Sequence, residues 1–268
     1  MEPILDCHAH IFPDRIAAKA VQSIGRYYGL PMACSGDLMD MLTARLAAGI
    51  THSVLFATAT RPDQAMPINR FMADCCHSHP GLTALGTVHP GMPEKDVDAA
   101  LDQLGALGLA GIKLHPDFQQ VAADDPFVIR VAKRLGPGRV LLLHAGDPKS
   151  DLSHPDRIRR LAEACPGTRF IAAHLGGYSL WRQSAHALAA CPNVWIDTSS
   201  SLAFLAPGEA ADIMRGFGLD RVLFGTDYPM WTPRDEVRRL RALPLTEKEK
   251  QAVLWSNGAR LFCQKPVV

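Results

Sequence analysis

Short apolar runs rich in β-formers recur eight times along the 268-residue chain, at 3–10, 52–59, 82–90, 109–116, 139–146, 168–177, 193–200 and 221–229. Between them the apolar period lengthens to that of a helix. Leu38, Met41, Leu42 and Leu46 share one helical face that stops at Gly49, and Val97, Leu101 and Leu104 do the same before Gly108. Ser153 with Pro155 reads as N-cap and first helical position ahead of Ile158, Leu161 and Cys165. Asp235 to Leu243 carries Val237 and Leu240 on one face, and Thr246 with Glu249 forms a capping box. Strands alternating with helices predict an α/β fold, a (β/α)8 TIM barrel spanning 1–268 as a single domain, because each parallel strand needs a crossover helix to return the chain. A doubly wound open sheet is the alternative, but no G-x-G-x-x-G phosphate loop follows the first strand. The stretch 11–35, with Tyr27 and Tyr28, is predicted to be a loop forming part of a lid.

Polar residues that close apolar runs carry the chemistry. Of eleven histidines, His8, His10, His89, His115, His144 and His174 end predicted strands, and a barrel gathers all those ends on one rim. Period-two alternation turns His8 and His10 the same way, and it turns Lys113 and His115 inward while Ile112 and Leu114 face the helices. His144, His174 and Asp227 fall in phase with inward neighbours. Imidazoles with a carboxylate predict a divalent metal, zinc foremost, with manganese, iron and nickel accepting the same donors. Lys113 either acts in catalysis or neutralises an acidic rim; His89 and His115 either bind substrate or close structural hydrogen bonds. Asp197 and Thr198 are candidates for a substrate hydrogen bond, whereas His52, His77, His79, His154 and His186 are expected to be structural.

Composition narrows the partner. The net charge is +1 with lysines and arginines scattered, which leaves no basic footprint for nucleic acid and points to a small-molecule substrate; a homo-oligomer is compatible with it. No run approaches the roughly 20 apolar residues of a membrane span, and the first residues lack a secretory pattern, so a cytoplasmic location is expected. Seven cysteines without Cys-x-x-Cys spacing predict reduced thiols.

The string Asp6-Cys7-His8-Ala9-His10, with His144, His174 and Asp227 at later strand ends, resembles the amidohydrolase superfamily. Gly111-Ile112-Lys113-Leu114-His115-Pro116, Gly225-Thr226-Asp227-Tyr228-Pro229 and Asn257-Gly258-Ala259-Arg260-Leu261-Phe262 resemble its amidohydrolase family 2 branch, which includes aminocarboxymuconate-semialdehyde decarboxylase-like enzymes. The resemblance runs from residue 3 to about 262. It implies metal ligation by His8, His10, His144 and Asp227, with His174 as general acid/base. Lys113 sits where binuclear members carry a carboxylated lysine; one ion is expected, and two if Lys113 is so modified. The leading expectation is a metal-dependent hydrolase, in which activated water cleaves an amide, ester or lactone and Asp227 handles the water proton. The alternative is a metal-dependent non-oxidative decarboxylase of a small carboxylic acid. Arg61, Arg182 and Arg234 are loop candidates for clamping an acidic substrate.

Overall fold

The computed structural model describes residues 2–263. Strand and helix alternate in the order β1 (Leu5–His10), α1 (Asp14–Tyr28), α2 (Leu38–Ala47), β2 (His52–Phe56), α3 (Ala65–Ser78), β3 (Leu82–Ala84), α4 (Glu94–Asp102), β4 (Gly111–Leu114), α5 (Pro116–Gln119) and α6 (Pro126–Leu135). There follow β5 (Val140–Leu143), α7 (Pro155–Ala164), β6 (Arg169–Ala172), α8 (Trp181–Ala189), β7 (Val194–Asp197), α9 (Pro207–Phe217), β8 (Val222–Leu223), α10 (Pro233–Arg241), α11 (Glu247–Gln251) and α12 (Asn257–Phe262). The strands pair in parallel as two arcs, β1-β2-β3 and β4 through β8. Backbone hydrogen bonds join the arcs at both seams: Gly86 N–H to Gly111 O (2.9 Å) and Lys113 N–H to Gly86 O (2.8 Å) on one side, and Cys7 N–H to Phe224 O (2.8 Å) and His10 N–H to Tyr228 O (2.7 Å) on the other. The predicted TIM barrel is therefore the architecture found.

Two apolar cores follow from the strand alternation. Ile112, Leu114, Leu141 and Leu143 face outward into the layer shared with the helices, while Leu5, Val54, Phe56, Val140, Leu142 and Ile171 fill the barrel. Strict alternation fails once, in β1. Its pairing with β2 shifts register between Asp6 and Ala9. That shift lets Cys7 join the inner core while the very next residue, His8, packs its ring against Phe56 of the same core at 4.9 Å, as a bulge re-aims side chains. Asp6 pins the irregular backbone, accepting from the N–H groups of His8 and Thr226 (both 3.0 Å) and from the Thr226 hydroxyl (2.6 Å).

Several predicted boundaries change. Residues 11–35 are not a loop: Asp14–Tyr28 is helix α1, ended by Gly29 at φ 67°. Ile16, Ala20 and Ile24 give it an apolar stripe at helical spacing, a period hidden by the weak hydrophobicity of its alanines. The N-cap of α7 is His154, whose side chain accepts from Asp156 N–H, with Pro155 as the first helical residue; Ser153 lies one position too early. Thr246 and Glu249 form the predicted capping box of α11. Strands end earlier than predicted because His174, Leu175, Ser200 and Asp227 all adopt positive φ, between 45° and 61°. Such left-handed turns at non-glycine residues cost energy and gather at functional sites.

Candidate metal centre and active site

Three donors converge at the β1–β8 seam. His8 Nε2 lies 3.2 Å from His10 Nε2 and 3.3 Å from Asp227 Oδ1, and His10 Nε2 lies 3.5 Å from the same oxygen. Ligands about 2.1 Å from a tetrahedral ion are separated by about 3.4 Å, so the spacing fits a single divalent cation. Electrostatics agree. His8 Nδ1 donates to Asp197 Oδ2 at 2.9 Å, which leaves the Nε2 lone pair pointing at the other two donors. Lone pairs and a carboxylate brought this close repel unless positive charge sits between them. Position depends on Gly225 as well: a Cβ there would come within 2.8 Å of His8 Cβ.

Each ionisable group responds to its neighbours. Burial opposes charging His8, but Asp197 and Asp227 outweigh it and raise the imidazole. Burial takes His10 down to about 4. Asp227, also buried, is held well below the usual carboxylate range by His8 and His10, and Asp197 is lowered to about 2 chiefly by His8. The second Asp227 oxygen accepts from the Ser200 hydroxyl, which in turn accepts from Trp231 Nε1–H at 2.9 Å. The Arg239 guanidinium lies 5.1 Å over the Trp231 ring and pairs with buried Glu236.

Across the mouth, on the β4–β5 side, the histidines stack on rings, with one carboxylate, Asp117, 3.8 Å from His115 Nδ1. His115 stacks between Phe118 (3.8 Å, 2°) and His144 (3.9 Å, 8°). Tyr28 of α1 hydrogen-bonds His115 Nε2 at 3.1 Å, and the neighbouring Tyr27 hydroxyl donates to Asp147 at 2.7 Å. Burial drives His115 and His144 well below the ordinary histidine value. His115, Asp117 and His144 also bring donor atoms within 4.8 Å of one another; Ser150 donates to Asp117 Oδ1, Phe118 N–H to His115 Nδ1 (3.3 Å), and His144 Nε2 bonds Gly146 O (2.9 Å), while Asp117 Oδ2 is buried without a hydrogen-bond partner.

The residues predicted from sequence thus divide. His8, His10 and Asp227 meet at one point. His144 stands outside that group, its Nδ1 on His174 Nε2 at 3.0 Å. His174 bridges the two sides, with Nδ1 near Ser199 Oγ (2.9 Å) and Asp227 Oδ2 (3.9 Å), and burial lowers it to about 4. Lys113 is buried against Phe56, Nζ 5.0 Å from the ring centroid, and burial lowers it to about 8. His89 is in a turn after β3, where it accepts from Gly91 N–H at 3.0 Å; it does not line the cavity. Arg61 lines the outer cavity paired with Asp63 at 3.1 Å; Arg182 pairs with Glu209 and Arg234 reaches Ala47 O, both away from it. Asp197 is the His8 partner, not a substrate contact, and Thr198 Oγ1 is taken by the Gly225 backbone. Sequence reading missed Asp6, Ser199, Ser200 and Trp231. The signal available was Asp197-Thr198-Ser199-Ser200-Ser201, a polar run of five residues that are all buried.

The donors open into a cavity of about 1170 Å³ lined by His10, Tyr28, His115, His144, His174 and Asp227 at its base. Fold and site together define a TIM-barrel enzyme built around a divalent metal. The amidohydrolase family model matches residues 5–263, and the chain belongs to that family. No curated protein matches the chain significantly. An uncharacterized TIM-barrel protein from Bordetella bronchiseptica shares the fold at TM-score 0.81 and 20% identity, over 97% of this chain and 98% of that one. The 5-carboxyvanillate decarboxylase of Sphingomonas paucimobilis gives 0.75 and 16%, over 99% and 100%. A dihydroxybenzoic acid decarboxylase from a Polaromonas species, solved with manganese and 2-nitroresorcinol, gives 0.73 and 16%, over 97% of each chain. These relatives correct the leading expectation of hydrolysis: the solved structures that share the fold and have a stated activity here are decarboxylases, the alternative reading. Among the described residues no helix is long and apolar enough to cross a membrane.

Proposed function

We propose that the protein is a metal-dependent, non-oxidative decarboxylase of a small aromatic acid bearing a hydroxyl next to its carboxylate. The observation that carries this reading is the near-parallel stack of Phe118, His115 and His144 lining the same cavity as His10 and Asp227 of the donor group. A flat ring is matched by the stack, and an anionic edge by the donor side. One divalent ion is held by His8, His10 and Asp227; the nitrogen and oxygen donors suit zinc, and manganese takes the same set. When bound, that ion neutralises and orients the anionic oxygens of the substrate.

The residues supply the rest. Asp227, ionised at rest, takes the proton of the substrate hydroxyl and delivers it to the ring carbon that carries the carboxylate. The electron pair of the carbon–carbon bond then returns to the ring, and carbon dioxide leaves. His174, 3.9 Å from Asp227 Oδ2, is the second proton-handling group, and His144 orients it. Lys113 stays unmodified and adds positive charge against Phe56, the ring on which His8 and His10 also pack. Tyr28 and His115 position the substrate. The test is a panel of hydroxybenzoates, benzoates lacking the hydroxyl, lactones and amides, offered to metal-stripped and metal-reloaded protein. Carbon dioxide release restricted to the hydroxybenzoates and restored by metal supports the reading; turnover of lactones or amides alone rejects it.

A further inference from the structure

The cavity is too large for the single-ring acid proposed above. At about 1170 Å³ it exceeds the roughly 300–1,000 Å³ of pockets that hold drug-sized ligands, and α1 and α3 supply a large share of its lining. Ile16, Ala20 and Ile24 of α1 and Ile68 and Phe71 of α3 line it at the three- or four-residue spacing of one helical face, beside Arg15, Arg70 and Asp74 of the same helices. Helix α1 is amphipathic, yet of its fifteen residues only Ala17 and Gly25 are buried, and Ile16 is 45% exposed. Its apolar face is thus turned to the cavity instead of the core. From Ile16 to Ile24 the stripe runs about 12 Å at 1.5 Å per residue, continuous with Tyr27 and Tyr28 and so with the base of the site.

We infer that the substrate carries an apolar arm that lies in the cleft between α1 and α3 while its acid head group occupies the metal end. The inference rests on the decarboxylase reading for the head group only. An arm covering the exposed faces of Ile16, Ile24, Ile68 and Phe71 removes apolar surface from water on both partners, which drives binding in proportion to its length.

The experiment is calorimetric titration of the metal-loaded full chain with salicylate, its 4-butoxy and 4-hexyloxy ethers, and octanoate, with carbon dioxide release measured in parallel. Affinity is expected to rise along the ether series by up to about fourfold per methylene buried. Ile24→Trp, which fills the cleft, and Ile16→Glu, at its exposed end, are each expected to flatten the series. If salicylate binds and the arms add nothing, the cleft inference falls and the decarboxylase reading stands. If the ethers and octanoate bind with the predicted length dependence but no hydroxybenzoate is decarboxylated, the cleft stands and the head-group reading falls.

Discussion

The two sides of the barrel mouth use the same residue type for opposite purposes. At the β1–β8 seam His8 faces Asp197 and Asp227, is raised by them, and offers a fixed lone pair to a shared point. At β4–β5, His115 and His144 stack on rings, lose charge through burial, and form a flat neutral wall. The difference lies in what faces each ring: two carboxylates hold His8 on both of its nitrogens, while stacked rings cover His115 and His144.

The sharpest way to break that contrast is to exchange one residue on each side. His8→Gln should abolish stoichiometric metal uptake, measured by elemental analysis, and lower turnover by about a thousandfold or more; His115→Phe, which keeps the stack, should retain the metal. Equal metal loss in both would erase the distinction. Next in size is Asp197→Asn, which leaves the donors in place but frees the His8 ring, and should weaken metal affinity by about 10–100-fold in a chelator competition. Ser200→Ala removes a hydrogen bond to the Asp227 carboxylate and should cost roughly tenfold in kcat; Trp231→Phe, acting one bond further back, should cost about threefold. Both should leave KM nearly unchanged, since neither group is proposed to touch substrate.

The smallest effect is on stability, behind the metal side. Glu236 is fully buried with one oxygen unpartnered, and burial raises it to about 7 against the opposing Arg239 pair. Because the folded carboxyl holds its proton more tightly than the unfolded one, the Glu236 contribution to stability is fully present below about pH 4.5, is lost as pH rises to about 7, and then levels off. The loss is on the order of 3 kcal/mol. Glu236→Gln should flatten this slope in urea melts at pH 5 and pH 8; an unchanged slope assigns it to another group.

Much of this was legible in the chain. Eight strand-like runs with histidines at their ends predict a barrel with a metal at its mouth, and His8, His10 and Asp227 do meet. Period-two alternation correctly separates Lys113 from Ile112 and Leu114. It could not reveal the register shift in β1, since Cys7 and His8 are adjacent yet both engage the inner core. Asp197 looked like a substrate contact because partnership with His8 spans 189 positions and leaves no local pattern. His89, which closes an apolar run as His115 does, ends in a turn because β3 stops at Ala84, five residues short of it. Alanine-rich α1 was read as a loop, and with it the cleft that widens the site went unseen.

The most direct measurement is incubation of metal-loaded protein with 2,6-dihydroxybenzoate in heavy water. The account predicts carbon dioxide and resorcinol carrying deuterium at the carbon that bore the carboxylate, with both lost in Asp227→Asn. Absence of carbon dioxide from this and every other hydroxybenzoate, alongside hydrolysis of a lactone or amide with solvent oxygen in the product, would contradict it.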